Sequence, residues 1–319
     1  MMVNPNLATF SDWSFNSALA IYLVVLVLHA AEYGFTRNPD RKRERALVAA
    51  GGPEVAPEPS TTSTISEGRT LPERLGRTAV ALTVLAAVLH AASLLLRGLA
   101  TQRVPWGNMY EFGSAICLVA VVSWLVVLRK HDVRHIGAFV MLPMMLLLFV
   151  AGKLLYVEAA PLMPALRSYW ITIHVSAAIL ASGVFLVSGV ASLLYLVRLP
   201  HENNPERFAT MGPRLPAADA LDRLSYRLTV FAFPIFTFGI IAGAIWAESA
   251  WGRYWGWDPK ETVSFIAWVI YAGYLHARAT AGWRGSRSAW VNVLGFVMMV
   301  FNLFFVNLVT TGLHSYAGV

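Results

Sequence analysis

The run WITIHVSAAILASGVFLVSGVASLLYLV occupies residues 170–197 and contains no Asp, Glu, Lys or Arg. About 20 consecutive apolar residues are enough for a helix to cross the hydrocarbon core of a bilayer. A segment of this length and composition predicts a transmembrane helix, because a helix buried in a soluble domain is usually shorter and has a polar face.

Seven further apolar runs precede and follow this segment. They lie at approximately residues 14–35, 78–96, 110–128, 136–152, 228–247, 263–281 and 288–310. The chain is 57% hydrophobic and 13% charged, whereas soluble domains carry about 25% charged residues. The sequence therefore predicts an all-α, polytopic membrane bundle of about eight transmembrane helices, and this composition excludes a soluble globular protein.

Basic residues predict the orientation of this bundle. Most of the 25 Lys and Arg residues fall in the loops at 36–77, 129–135, 198–227 and 278–287. Cytoplasmic loops are enriched in Lys and Arg, so these loops are predicted to face the cytoplasm and both termini to be extracytoplasmic. The same topology explains the net charge of +7 without a nucleic-acid partner.

The chain is predicted to divide at one polar segment. Residues 36–77 contain a stretch rich in Pro, Glu, Ser and Thr, which is typical of a disordered linker. The predicted parts are an N-terminal transmembrane helix at 1–35, a cytoplasmic, largely disordered linker at 36–77, and a membrane domain at 78–319. The single cysteine, Cys117, lies in an apolar run, so thiol chemistry by this chain alone is not expected.

An extracytoplasmic loop at residues 246–262, WAESAWGRYWGWDPKET, holds four of the 11 tryptophans. If its first part is helical, Trp251 and Trp255 lie on one face, and Gly252 and Gly256 leave that face open to a large planar ligand. An interfacial aromatic belt explains any single Trp here. The density of tryptophan favours a ligand platform instead.

The end of this loop has the pattern of a helix start. Asp258 suits an N-cap, Pro259 suits the first helical position, and Glu261 stands where a capping box places a carboxylate. These three residues are therefore predicted to begin the next helix.

Two histidines are predicted at the depth of the tryptophan loop. His174 lies one turn inside the outer end of its helix, and His314 lies just beyond the outer end of the last helix. Two neutral imidazoles beside an aromatic surface suit axial ligation of haem iron. Interfacial histidines bonded to backbone carbonyls are the alternative, and the residues alone leave both interpretations open.

Three further histidines lie within the predicted membrane helices. His276 lies in the inner part of its helix and is either a packing residue or a ligand, whereas His29 and His90 are interpreted as packing residues.

If haem binds, its charged propionates require basic partners. The candidates are Arg97, Arg103, Arg167, Arg253 and Lys260.

Several motifs resemble those of a known family. The runs are WGRYWGWDPKET (251–262), IAWVIYAGYLHAR (266–278), PWGNMYE (105–111), SYWITIHV (168–175) and LHSY (313–316). The first resembles the tryptophan-rich signature of the WWD-domain haem-handling superfamily of cytochrome c biogenesis. Within that superfamily the chain resembles the CcsA branch, also called ResC and often named CcsB in actinobacteria, of the system II cytochrome c synthase.

The resemblance, which begins at about residue 78, implies a set of site residues. It implies that His174 and His314 are the external axial ligands of haem b, and that His276 is a transient haem ligand within the membrane. The haem platform would comprise Trp251, Trp255, Trp257 and Asp258. The implied location is the bacterial plasma membrane, with the active face extracytoplasmic.

The resemblance also implies partners and a reaction. A ResB-type subunit would complete the synthase (haem lyase), an apocytochrome c with a Cys-x-x-Cys-His segment would accept the haem, and thiol-reducing thioredoxin-like proteins would keep its cysteines reduced. No separate catalytic residue is identified, so the expected contribution is haem export or presentation and positioning. The alternatives are a b-type haem subunit of an electron-transfer complex and a transporter of another solute.

Overall fold

The computed structural model describes residues 3–36, 70–161, 166, 168–280, 282–310 and 312–314, and these residues form eight α-helices and no strand. This confirms the predicted all-α bundle. Residues 37–69, which make up most of the predicted linker, lie outside the described residues. The helices are α1 (Pro5–Phe35), α2 (Leu71–Thr101), α3 (Met109–Lys130), α4 (Gly137–Lys153), α5 (Tyr169–Asn203), α6 (Ala218–Trp251), α7 (Pro259–Thr280) and α8 (Ser286–Leu308).

Seven of these helices are long and apolar enough to cross a membrane, and α7 is the exception. Polar groups within α7 lower its mean hydropathy, and two of its charged groups are paired inside the protein. Lys260 bonds Asn307 near the end of α8, and Arg278 bonds Asp222 near the start of α6. Helix α7 has 22 residues, close to the 23 of α8 that follows it, and we treat the chain as a multi-pass membrane protein.

Several helices extend well beyond the predicted apolar spans. Helix α1 begins at Pro5 and α2 at Leu71, because a helix can continue past the hydrocarbon core into the interfacial region. The start of α1 is fixed by Asn4, whose side chain accepts hydrogen bonds from two backbone amides of the first turn.

A buried polar network joins α5, α6 and α8. The side-chain amide of Asn292 donates to Ser188 at 3.0 Å and to Ser192 at 2.7 Å, and its carbonyl oxygen accepts from Thr229. Hydrogen bonds between membrane helices contribute roughly 0.6 kcal/mol each on average. The network therefore fixes the relative positions of three helices that surround the candidate site.

The helices alternate in direction, so the start of α5 and the end of α8 lie at one end of the bundle, here called the histidine end. The start of α1 reaches the same end, because the Asn4 amide donates to the carbonyl of Ala100 at 3.0 Å, at the end of α2. His314 follows α8 at this end. Both ends of the described chain therefore share one side of the bundle.

Candidate functional site

A cavity opens at the histidine end and is bounded by α3, α5, α6, α7 and α8. It contains about 1480 Å³ of empty space, its open mouth included. One wall descends along α5 from His174 to Leu186, which is about 18 Å at 1.5 Å per residue. The wall is mostly apolar and aromatic, which is typical of a site for a small organic ligand.

His174 lines this cavity from the second turn of α5. Its Nδ1 donates to the carbonyl of Gly239 at 2.7 Å, because a carbonyl can only accept. The lone pair of the ring is therefore on Nε2. Gly243 provides the space for the ring, since a Cβ there would lie 2.6 Å from Nδ1.

His314 lines the same cavity from beyond α8. Its Nδ1 lies 2.7 Å from Oδ2 of Asp258, and the other carboxylate oxygen accepts the backbone amide of Leu313 at 2.8 Å. An ionised carboxylate accepts, so Nδ1 carries the hydrogen and the lone pair is on Nε2. A histidine oriented by a carboxylate in this way is typical of metal ligands.

The same contacts keep Asp258 ionised. Burial by itself would raise the pKa of this carboxyl, but hydrogen bonds from His314 and from the amides of Leu313 and Lys260 hold the pKa below its usual value. Asp258 also precedes α7 at the predicted N-cap, and the Glu261 side chain accepts the Asp258 amide at 3.2 Å. The predicted helix start is confirmed, and Asp258 has a second contact at the site.

Trp246 brings the two histidines together. Its ring is 1% exposed, and it stacks on the His174 ring with a centroid distance of 6.5 Å and an interplanar angle of 10°. The His314 ring meets the same indole at 6.1 Å. Two imidazoles, one from α5 and one from the turn beyond α8, thus contact one tryptophan inside one cavity.

The predicted helical pairing of Trp251 and Trp255 is wrong. Gly252 adopts a left-handed conformation with φ of +69° and ends α6 immediately after Trp251, so Trp255 lies in a non-helical segment. The face expected to be open at Gly256 is instead covered by the Arg253 guanidinium, which would overlap any Cβ there. Both tryptophans nevertheless line the cavity.

Trp257 does not line the cavity. It adopts a left-handed backbone conformation, with φ of 58°, which is uncommon for a non-glycine residue. Its side chain is 64% exposed and packs edge-on against Trp255 and Phe265. Trp257 therefore lies beside the site, on the outer surface of the loop.

His276 is far from the other predicted site residues. It lies 18 residues after Asp258 along α7, which corresponds to about 27 Å of helix. Its side chain is exposed on the surface of the bundle. The structure therefore brings His174 and His314 together and leaves His276 separate.

Three of the basic residues predicted as partners of the haem propionates lie outside the cavity lining. Arg97 bonds Glu111 at 2.7 Å, and Arg103 bonds both oxygens of the same carboxylate at 2.7 and 2.9 Å. Arg253 lies 3.6 Å from Glu261 and over the Trp251 ring. These three arginines do not line the cavity.

Lys260 is the basic candidate that does line the cavity among the residues the structure describes. Arg167, the fifth candidate, lies outside the described residues. Trp246 and Trp106 also line the cavity, although neither was among the predicted site residues. The density of tryptophan was the available signal for Trp246, and the PWGNMYE motif was the signal for Trp106.

Comparisons with known proteins agree with these motifs. Residues 106–314 match the family described as Cytochrome C assembly protein. The cytochrome c biogenesis protein CcsA of Guillardia theta is 36% identical over 252 residues, which cover 73% of this chain and 83% of that protein. The corresponding protein of Gloeobacter violaceus is 34% identical over 293 residues, which cover 76% and 85%.

A solved structure shares the fold. The cytochrome c haem lyase CcmF superposes with a TM-score of 0.63 at 18% sequence identity, and the match covers 95% of this chain and 47% of that one. This chain thus spans about half the length of the CcmF chain. The predicted resemblance is confirmed: the chain belongs to the cytochrome c assembly protein family, as a CcsA-type, or ResC-type, member.

Proposed function

We propose that this CcsA-type chain acts in cytochrome c biogenesis by holding haem at the histidine end and presenting it for covalent attachment to apocytochrome c. His174 and His314 are the proposed axial ligands, and Trp246, Trp251 and Trp255 form the aromatic wall beside the porphyrin. The observation that carries this proposal is the contact of both imidazoles with Trp246 inside one cavity.

The chemistry of the lining suits a haem substrate. Nδ1 of His174 donates to the carbonyl of Gly239, and Nδ1 of His314 donates to the carboxylate of Asp258. The metal-binding lone pair of each ring is therefore on Nε2. The apolar wall along α5 and the aromatic side chains of the cavity suit a large planar ring. The substrate would be haem b, whose vinyl groups are unmodified before attachment.

Topology and surface features support a location and a partner. The loops away from the histidine end carry most of the basic residues, which supports an extracytoplasmic site in a bacterial plasma membrane. An exposed imidazole on a membrane helix is unfavourable in lipid, and His276 is such a group. Its exposure supports a ResB-type subunit that covers this face, where His276 would be a transient haem ligand.

The chain's own residues would contribute positioning to the reaction. In thioether formation a cysteine sulfur bonds one vinyl carbon, and the thiol hydrogen is transferred to the other carbon of the same vinyl group. The reaction needs reduced cysteines, which thioredoxin-like proteins would maintain. The histidine pair and the tryptophan wall would fix the porphyrin plane, and such alignment can supply several kcal/mol of a barrier.

The two alternatives predict different ligand positions. A b-type subunit of an electron-transfer complex usually holds haem between facing helices within the bilayer, whereas His174 and His314 lie at the end of the bundle. A transporter of another solute requires no histidine pair on an aromatic wall.

Absorption spectra of the purified chain, alone and with its partner subunit, test the proposal. We expect a haem spectrum in the wild type that is lost in the His174→Gly, His314→Gly double variant and recovered when imidazole is added to fill the space. His131→Gly, which changes an exposed histidine away from the site, is the matched control. A double variant that keeps the wild-type spectrum without imidazole would disprove the ligand assignment.

A further inference from the structure

We infer that Lys260 binds a carboxylate group of the porphyrin and thereby sets which edge of the haem faces outward. This inference rests on the proposed function, because it concerns the same cavity. It assigns a second kind of contact, to the periphery of the ligand rather than to its iron.

The first support is the position of the Lys260 ammonium group. Lys260 lies in the first turn of α7 and lines the cavity together with both histidines. Its Nζ donates to the side-chain oxygen of Asn307 at 2.6 Å and lies 5.9 Å from the centre of the Phe112 ring. A lysine ammonium group has three N–H donors, so donors remain for a ligand after the Asn307 contact.

The second support is that Asn307 is itself held in place. Its side-chain nitrogen donates to the carbonyl of Leu303 at 2.6 Å and more weakly to that of Asn302 at 3.3 Å. These bonds orient the oxygen of Asn307 toward Lys260. The long, flexible side chain of the lysine is thereby ordered before a ligand arrives, which reduces the entropy cost of binding.

The third support is that the neighbouring carboxylates already accept hydrogen bonds from groups other than the Lys260 ammonium. Asp258 accepts from His314 and Leu313, and Glu261 accepts the amides of Gly256 and Asp258. Among the described ranges, no carboxylate lies within salt-bridge distance of Lys260. An ammonium group in a mostly apolar cavity without a paired carboxylate favours an anionic ligand.

A consequence for the reaction follows from the shape of haem. The two propionates occupy one edge of the porphyrin, and the vinyl groups lie away from that edge. A propionate at Lys260 would place the carboxylate edge beside the start of α7. The vinyl groups would then be directed away from α7, where the incoming cysteines must reach them.

The test compares haem with its dimethyl ester, in which both propionates are esterified and the iron is unchanged. Affinities are measured by absorption titration of the purified protein. We expect wild type to prefer haem over the ester by about 10- to 100-fold, the range typical of a hydrogen bond to a charged group. Lys260→Gln should lose this preference by weakening haem binding alone, and Lys260→Arg should restore much of it.

Lys153→Gln is the matched control. Lys153 is exposed at the end of α4 on the same side of the bundle and does not line the cavity, so this change removes one charge without touching the site. It should keep the wild-type preference. The affinity for the ester also shows whether the Lys260→Gln protein is folded, because a folded variant should bind the ester as tightly as wild type does.

Each result decides the inference. Equal wild-type affinity for haem and ester, or a Lys260→Gln protein that retains the full preference, would overturn the role of Lys260 while leaving the histidine ligands in place. A wild-type protein that binds neither porphyrin, alone or with its partner subunit, would instead overturn the proposed function and this inference with it.

Discussion

His314 and Asp258 form a hydrogen-bonded pair, with 2.7 Å between Nδ1 and Oδ2, although they are 56 residues apart in the sequence. The carboxylate comes from the start of α7 and the imidazole from beyond α8. The pair therefore ties the segment after the last helix to the tryptophan loop, and it determines the direction of the His314 ring.

We expect Asp258→Asn to weaken haem binding by about 10- to 100-fold, because outer partners of metal-bound histidines have effects of this size. Loss of the negative charge should also raise the midpoint potential of the bound haem. Redox titration and haem titration measure the two effects. Glu261→Gln, which neutralises a nearby carboxylate that bonds neither histidine, should leave the potential much closer to wild type.

We expect Gly243→Ala to displace the His174 ring, because the added Cβ would lie 2.6 Å from Nδ1. The result should be reduced haem occupancy and an altered absorption spectrum. Gly273→Ala in α7 is the control, since a Cβ there meets nothing within 4 Å. This control should bind haem normally and gain up to about 1 kcal/mol in helix stability.

We expect Glu111→Gln to destabilise the protein by about 3 kcal/mol, because the buried Arg97 would lose its 2.7 Å partner and keep only the 3.8 Å contact with Asp12. Thermal unfolding in detergent measures the loss. Asp219→Asn breaks the exposed pair with Arg223 and should cost less than about 1 kcal/mol. Equal effects of the two changes would contradict a stabilising role for the buried cluster.

We expect Asn292→Ala to destabilise the α5–α6–α8 packing by about 1–2 kcal/mol, since it removes several buried hydrogen bonds at once. Leu294→Ala, at an exposed position two residues away on α8, should have a much smaller effect. Unfolding of both variants in the same detergent provides the comparison.

The helical fold was predictable because lipid imposes a simple rule on sequence. Each membrane helix needs a long apolar run, and the run at 170–197 falls within α5. The polar helix α7 was found by the same rule, although its hydropathy is lower, because its charged residues lie near its ends. The helix limits were less predictable, since α2 begins at Leu71 rather than at the predicted 78.

The candidate site was only partly predictable, because its geometry depends on contacts between distant segments. Helical depth placed His174 and His314 at one level. It did not reveal that Trp246 contacts both, or that Gly252 would end α6 and separate Trp251 from Trp255.

His174 and His314 are held in place by different kinds of contact. His174 belongs to a 35-residue helix and bonds a backbone carbonyl of α6, whereas His314 follows the last helix and bonds the side chain of Asp258. A side-chain partner can move more easily than the backbone of a packed helix. If the two histidines bind iron as proposed, we therefore expect the acceptor protein's histidine to displace His314 first, while His174 remains bound.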